Sequence, residues 1–127
     1  MRRRPTPLLA LAWALLALAA TAAHAEVRIH NDLDLGELAS CVSDSGALYY
    51  GAHWCPMCRK QNAYFEGYSD ALPYVECYDG PKSWGMNETC RSEDVKAFPT
   101  WIFGDGSVRR GALSPLALAS ATGCLDR

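Results

Sequence analysis

Basic residues form no cluster in this 127-residue sequence beyond its first four positions. A chain without a lysine–arginine patch cannot neutralise a run of phosphates, so nucleic acid is excluded as a partner. Histidine is scarce, with three residues, His24, His30 and His53. Close cysteine spacing occurs once, at Cys55 and Cys58, whereas a zinc site of cysteines and histidines needs two further ligands at suitable spacing. A metallochaperone reading, with Cys55, Cys58 and His53 as ligands, therefore lacks a distal ligand set, and no metal is expected. There is no internal repeat, no low-complexity linker and no second long apolar run after Leu8–Ala20. The length accommodates one domain.

The N-terminus has the three-part pattern of a secretory signal: Arg2, Arg3 and Arg4, then the apolar run, then Ala23-His24-Ala25 as a cleavage site. A membrane-spanning helix takes about 20 apolar residues, more than this run supplies. The expected organisation is a signal peptide over residues 1–25 and one domain over residues 26–127. That domain carries 9 basic and 14 acidic residues and is expected to be soluble. The Ala- and Leu-rich signal points to a bacterial periplasm, and the paired arginines leave the export route open. Asn87-Glu88-Thr89 fits a glycosylation acceptor, which is read as chance. All six cysteines, Cys41, Cys55, Cys58, Cys77, Cys90 and Cys124, follow the signal, and an even, dense count in a short exported chain implies disulfides.

Patterning predicts alternating strands and helices. Residues 27–30 read as an edge strand, and Asp32 as the cap of a helix carrying Leu33, Leu35, Leu38 and Ala39. The apolar run 47–52 reads as a buried central strand. A helix starts near Cys55 with Pro56 in its first turn, carries Tyr64, Phe65 and Tyr68 toward the core, and stops at Pro73. Residues 74–77 are a strand and 78–91 a loop. Ser92 is expected to cap a short helix that Phe98-Pro99-Thr100 breaks. Residues 100–103 and 107–110 form a hairpin across Gly104-Asp105-Gly106. Ser114 caps a last helix that Gly123 ends. The expected fold class is α/β, a small mixed sheet with helices on both faces.

The chemistry concentrates at Trp54-Cys55-Pro56-Met57-Cys58. Two cysteines separated by two residues at a helix start put the first sulfur against unpaired backbone N–H groups and the positive end of the helix dipole, which stabilise a thiolate. Cys55 is the expected nucleophile, with solvent access. Cys58, one turn in and more buried, is the expected resolving residue, through mixed disulfides with substrate proteins that carry thiols or disulfides. No metal or nucleotide cofactor is required.

Residues 33–125 resemble the thioredoxin superfamily. More narrowly, they are similar to the thioredoxin-like domain fused to bacterial vitamin K epoxide reductase homologues. Three stretches carry the resemblance: residues 50–58, Leu72-Pro73-Tyr74-Val75-Glu76-Cys77, and Phe98-Pro99-Thr100-Trp101. It implies a thioredoxin fold with a cis peptide bond before Pro99. Trp54, Phe98, Pro99 and Thr100 become substrate-binding residues beside Cys55, and the domain one that oxidises exported proteins. It also implies reoxidation by a quinone-linked membrane partner resembling vitamin K epoxide reductase, here expected as a separate polypeptide. Thioredoxins carry a buried aspartate six residues before the first active cysteine, where this chain has Tyr49. Met57 stands where strongly oxidising relatives have a histidine. A potential between those of thioredoxin and such oxidases follows, and the alternative direction, a thiol reductase, stays open.

The remaining four cysteines can pair in three ways. Cys77 ends a strand and Cys90 closes the following loop, and the resembling family has cysteines at both places. Cys41 is then left with Cys124, and the topology brings both helix ends to the pole away from the active site. All four are expected to be structural. Trp84 and Met86 could form a partner patch or pack their loop, while Arg59 and Lys60 read as a solvated face.

Overall fold

Asp34 opens the first described helix. In the computed structural model residues 33–126 are described, and the expected signal segment and the strand expected over residues 27–30 lie outside them. The Asp34 carboxylate accepts from the backbone N–H of Gly36 and Glu37, both at 2.9 Å, capping α1 (Leu35–Asp44). The cap is thus Asp34 rather than Asp32. The helical spacing of Leu38, Ala39 and Val42 puts them on the buried face, and the start at Asp34 places Glu37 in the first turn, where the helix dipole favours an acid.

Strand β1 (Leu48–Gly51) lies inside the sheet. It pairs in parallel with β2 (Tyr74–Glu76) and antiparallel with β3 (Thr100–Ile102), which in turn pairs antiparallel with β4 (Val108–Arg110). The strand order is β2-β1-β3-β4. Between β1 and β2 the chain crosses over through α2 (Pro56–Ala63) and a 3-10 turn, Glu66–Ala71. The helix expected to run on to Pro73 therefore stops early. Glu66 takes a left-handed conformation, with φ 51°. That break turns Phe65 fully into the core and leaves Tyr68 53 % exposed, its ring lying against Gly36.

Successive strand side chains point to opposite faces, so Tyr49 and Tyr50 serve two cores. On one face Tyr49 stacks on Trp101 at 4.9 Å, and Trp101 stacks on Phe103. On the other, Tyr50 joins Cys77, Cys90 and Val95, with Tyr78, Met86 and Phe98 packed against them. α1 packs against α4 (Pro115–Thr122), capped by Ser114 as expected and closed by Gly123 at φ 73°. The Cys41–Cys124 disulfide joins α1 to the C-terminal turn, across 83 residues of sequence. The molecule is a mixed four-stranded α/β fold of thioredoxin type. No helix among the described residues is long and apolar enough to cross a membrane.

The helix expected after Ser92 is displaced. α3 spans Glu88–Ser92 and is capped by Asn87, whose side-chain oxygen accepts from the Cys90 N–H at 3.2 Å. The Cys77–Cys90 bond draws Cys90 to the core, so the helix forms around it. Ser92 instead ends the helix and donates back to the Thr89 carbonyl.

A buried polar side chain locks the crossover to the rest of the domain. Gln61, fully buried, accepts from the Trp101 indole at 3.1 Å and from the Leu113 N–H at 2.8 Å, and donates to the Leu113 carbonyl at 3.0 Å. Gln61→Leu removes all three hydrogen bonds and leaves the buried Trp101 indole and the part-buried Leu113 backbone unsatisfied. The expected loss in urea unfolding free energy is about 2–4 kcal/mol. An unchanged midpoint would show that water takes over those bonds.

Candidate active site

β1 ends at Gly51, and the chain turns through Ala52, His53 and Trp54 into α2. Cys55 is the helix cap, in extended conformation, with Pro56 as the first helical residue. Proline suits that position because its missing N–H would be unpaired there anyway. The Cys55 sulfur itself accepts the orphan N–H of Cys58 at 3.3 Å. Its thiol also faces the Phe98 carbonyl at 3.6 Å. The Phe98–Pro99 peptide is cis, and buried Thr100 donates to the Ala97 carbonyl at 2.7 Å. The fold thus gathers Cys55, Cys58 and the Phe98-Pro99-Thr100 loop at one end of the sheet.

Trp54 belongs to the same cluster. Its ring meets Tyr78 and Phe98 edge to face, at 5.3 and 5.9 Å. The Lys82 ammonium lies 4.1 Å above it, and the Arg59 guanidinium reaches the Trp54 carbonyl. The Trp54 indole N–H is buried and has no partner within the described residues. Trp84, in contrast, is 76 % exposed with its ring over Gly80, while Met86 packs on the Cys77–Cys90 core. Arg59 and Lys60 are exposed.

The solvent access expected for Cys55 needs correction, since Cys55 is 4 % and Cys58 3 % exposed. The Phe98 carbonyl covers the Cys55 thiol, so burial does not separate the two. Their surroundings do. Burial, together with the hydrogen bond to Cys55, pushes the Cys58 thiol up from 9.0 to about 12. The Ala52 backbone and the Tyr49 side chain act in the opposite direction.

Several residues around Cys58 carry no sequence signal of their own as site residues. A side chain at Gly51 would place its Cβ 2.5 Å from the Tyr74 ring and 3.2 Å from the Cys58 sulfur, so only glycine fits between them. The Tyr49 hydroxyl lies 3.1 Å from the Cys58 carbonyl and 3.2 Å from the Asn62 side-chain oxygen. Tyr74 donates to Glu76 at 2.6 Å, and Glu76 also accepts from the backbone N–H of His53 and Tyr78. A groove of about 420 Å³ opens here between His53, Asn62, Asp70, Tyr74 and Glu76. The signal that could have found them is the pleat: Tyr49 and Gly51 share a face of β1, and Tyr74 is the register partner of Tyr49. His53 adjoins the pair in sequence, and its ring sits 3.7 Å from Glu76.

Among the described residues Cys55 and Cys58 are the free cysteines, and the other four form Cys41–Cys124 and Cys77–Cys90. No three His, Cys, Asp or Glu side chains converge there in a metal-binding arrangement.

No protein-family model matches the chain. Among curated proteins, the thiol-disulfide oxidoreductase LTO1 of Arabidopsis thaliana is 37 % identical to it over 89 residues, which are 68 % of this chain and 23 % of that protein. The chain therefore spans about a quarter of the length of the relative it matches. The similarity supports a thioredoxin-like redox protein.

Proposed function

We propose that this chain is a thiol–disulfide oxidoreductase that oxidises exported proteins through Cys55 and Cys58. The observation that carries the reading is the contrast among its six cysteines. Four are tied into disulfides, while the remaining pair begins a helix against the cis Phe98–Pro99 loop. Similarity to a thiol-disulfide oxidoreductase supports the redox chemistry. The signal-like N-terminus supports export, to a periplasm if the source is bacterial.

In the proposed reaction the enzyme enters with a Cys55–Cys58 disulfide. A substrate thiolate attacks the Cys55 sulfur, the Cys55–Cys58 bond breaks, and Cys58 leaves as a thiolate that takes up a proton. A second substrate thiolate then attacks its own partner sulfur in the mixed disulfide and displaces Cys55. Two electrons pass from the substrate dithiol to the enzyme pair, and the substrate leaves with a disulfide. Trp54 and Phe98 form the surface on which an extended substrate lies, with the backbone of Phe98 as a pairing edge, while the buried Pro99 and Thr100 side chains hold that loop from beneath. Reoxidation would fall to a quinone-linked membrane partner, resembling vitamin K epoxide reductase, that accepts the two electrons.

The direction is tested by equilibrating the protein with glutathione. The Cys55–Cys58 potential is expected between roughly −270 mV, the value of thioredoxin, and −120 mV, that of a strong oxidase. A value at or below the lower bound overturns the oxidising direction and leaves a thiol reductase.

A further inference from the structure

In the proposed exchange Cys58 must exist as a thiolate at every turnover, as leaving group in one direction and nucleophile in the other. Its surroundings offer little for that charge. The ionisable groups that face it are Cys55 from the start of α2, Tyr49 from β1 and Tyr74 from β2. None is a carboxylic acid or a cation. Tyr74 presents its ring, and its hydroxyl is committed to Glu76 at 2.6 Å. Cys55 is the reaction partner itself. Tyr49 remains: a fully buried side chain whose hydroxyl sits between the Cys58 carbonyl and the Asn62 side-chain oxygen.

We propose that Tyr49 is the positioning residue for Cys58, its hydroxyl donating a hydrogen bond to the Cys58 sulfur whenever that sulfur is a thiolate. This inference rests on the redox reading of the Cys55–Cys58 pair. The phenol has one proton to donate and two neutral oxygen acceptors at 3.1 and 3.2 Å, neither of them short. The Cys58 sulfur and the Tyr49 ring edge lie 3.2 and 3.4 Å from one point, the Cβ position that Gly51 leaves empty. A full charge on that sulfur outcompetes both oxygens, because hydrogen bonds to ionised acceptors are about twice as strong as neutral ones. The ring cannot drift away. It stacks on Trp101 at 4.9 Å and meets Tyr74 edge to face at 5.0 Å. Burial raises the phenol above its usual range, so Tyr49 stays protonated and acts as donor.

The test uses Tyr49→Phe, which keeps the stacked ring and deletes the hydroxyl. The oxidised protein is mixed with a reduced dithiol peptide in stopped flow, and the reduced protein with a small disulfide, across pH. Opening of Cys55–Cys58 is expected to slow about tenfold, the loss of one hydrogen bond to a charged group. The pH midpoint of Cys58 ring closure is expected to move up by about one pH unit. In a Cys58→Ser background, adding Tyr49→Phe should leave the attack of Cys55 on the small disulfide unchanged. Unchanged opening rates and an unchanged midpoint overturn the proposal, as does equal slowing in the Cys58→Ser background, which would make Tyr49 a packing residue. A Cys58→Ser protein that traps no adduct at all would instead sink the redox reading on which this one rests. Should Tyr49→Phe not fold, Asn62→Leu gives the second reading. It removes one of the two acceptors that compete for the hydroxyl and adds no charge, so the midpoint should fall; a midpoint that stays put or rises would overturn the role.

Discussion

Cys58→Ser is expected to accumulate mixed disulfides between Cys55 and its substrates, and Cys55→Ser to accumulate none. The first substitution removes the thiolate that attacks Cys55 in the mixed disulfide, the return path of the proposed exchange, and leaves the group that forms it. Turnover in both should fall to the uncatalysed level. The asymmetry follows from the two environments rather than from exposure, since both residues are almost fully buried. The Cys55 sulfur sits at the helix start and accepts the Cys58 N–H, a contact that strengthens when the sulfur is charged. The Cys58 thiol is pushed by burial to about 12. After mild reduction Cys55 should therefore alkylate first, and Cys58 should stay slow until the solution is strongly alkaline. The same displacement has a sign for stability. Cys58 binds its proton more tightly folded than unfolded, so its contribution is complete below about pH 9 and is lost as pH rises toward 12. Reduced protein should unfold more readily across that window, and oxidised protein, with no thiol to titrate, should not show this loss. Trapping from peptide mixtures, read by mass spectrometry, decides the roles. Adducts on Cys58 in Cys55→Ser, with none in Cys58→Ser, would reverse them.

Much of the fold was legible because local chemistry and tertiary structure agree. Ser114-Pro115 and Gly123 mark the ends of α4, Gly104-Asp105-Gly106 marks the hairpin, and Pro56 marks the start of α2. Where reading failed, a tertiary contact had overridden a local signal. Tyr64, Phe65 and Tyr68 have helical spacing, yet the helix breaks at Glu66 so that Phe65 can enter the core. Ser92 is a good cap by composition, but the disulfide at Cys90 moves the helix to Asn87. The helix starts at Asp34 because its carboxylate takes the backbone N–H groups of Gly36 and Glu37, a contact that composition alone does not distinguish from a cap two residues earlier.

The candidate site divides in the same way. Cys55, Cys58 and Phe98-Pro99-Thr100 stand out by spacing and by proline. Gly51, Asn62 and Tyr74 do not, because their roles depend on register between strands and on what crosses the sheet above them. The solvent access expected for Cys55 failed for a similar reason: the carbonyl that covers it comes from 43 residues away.

Replacing Cys77 and Cys90 together by alanine is expected to lower stability by about 3 kcal/mol and to leave the Cys55–Cys58 potential nearly unchanged. The two cysteines are 13 residues apart, and a loop of this length loses roughly that much when its cross-link is removed, in the chain-entropy model. Both are fully buried beneath Tyr78, Met86 and Phe98, so the alanines also leave the volume of two sulfurs unfilled. That burial bears on function as well. Thiol–disulfide exchange needs an attacking sulfur to reach its target: Cys55 caps a helix beside exposed Pro56 and Met57, whereas Cys77 and Cys90 lie inside the core under Tyr78, Met86 and Phe98. Cys77–Cys90 is therefore expected to resist reduction at potentials where Cys55–Cys58 opens, and partial reduction followed by alkylation should label Cys55 before Cys77 or Cys90. The loop it staples still reaches the active site, since Tyr78 touches Trp54 and Lys82 lies over the Trp54 ring. The double variant should accordingly weaken substrate binding more than it slows the exchange step, raising KM with kcat close to the parent value. Were Cys77–Cys90 to open first, and its loss to abolish turnover in a protein that still unfolds cooperatively, the pair would be an electron relay and its structural assignment would fall.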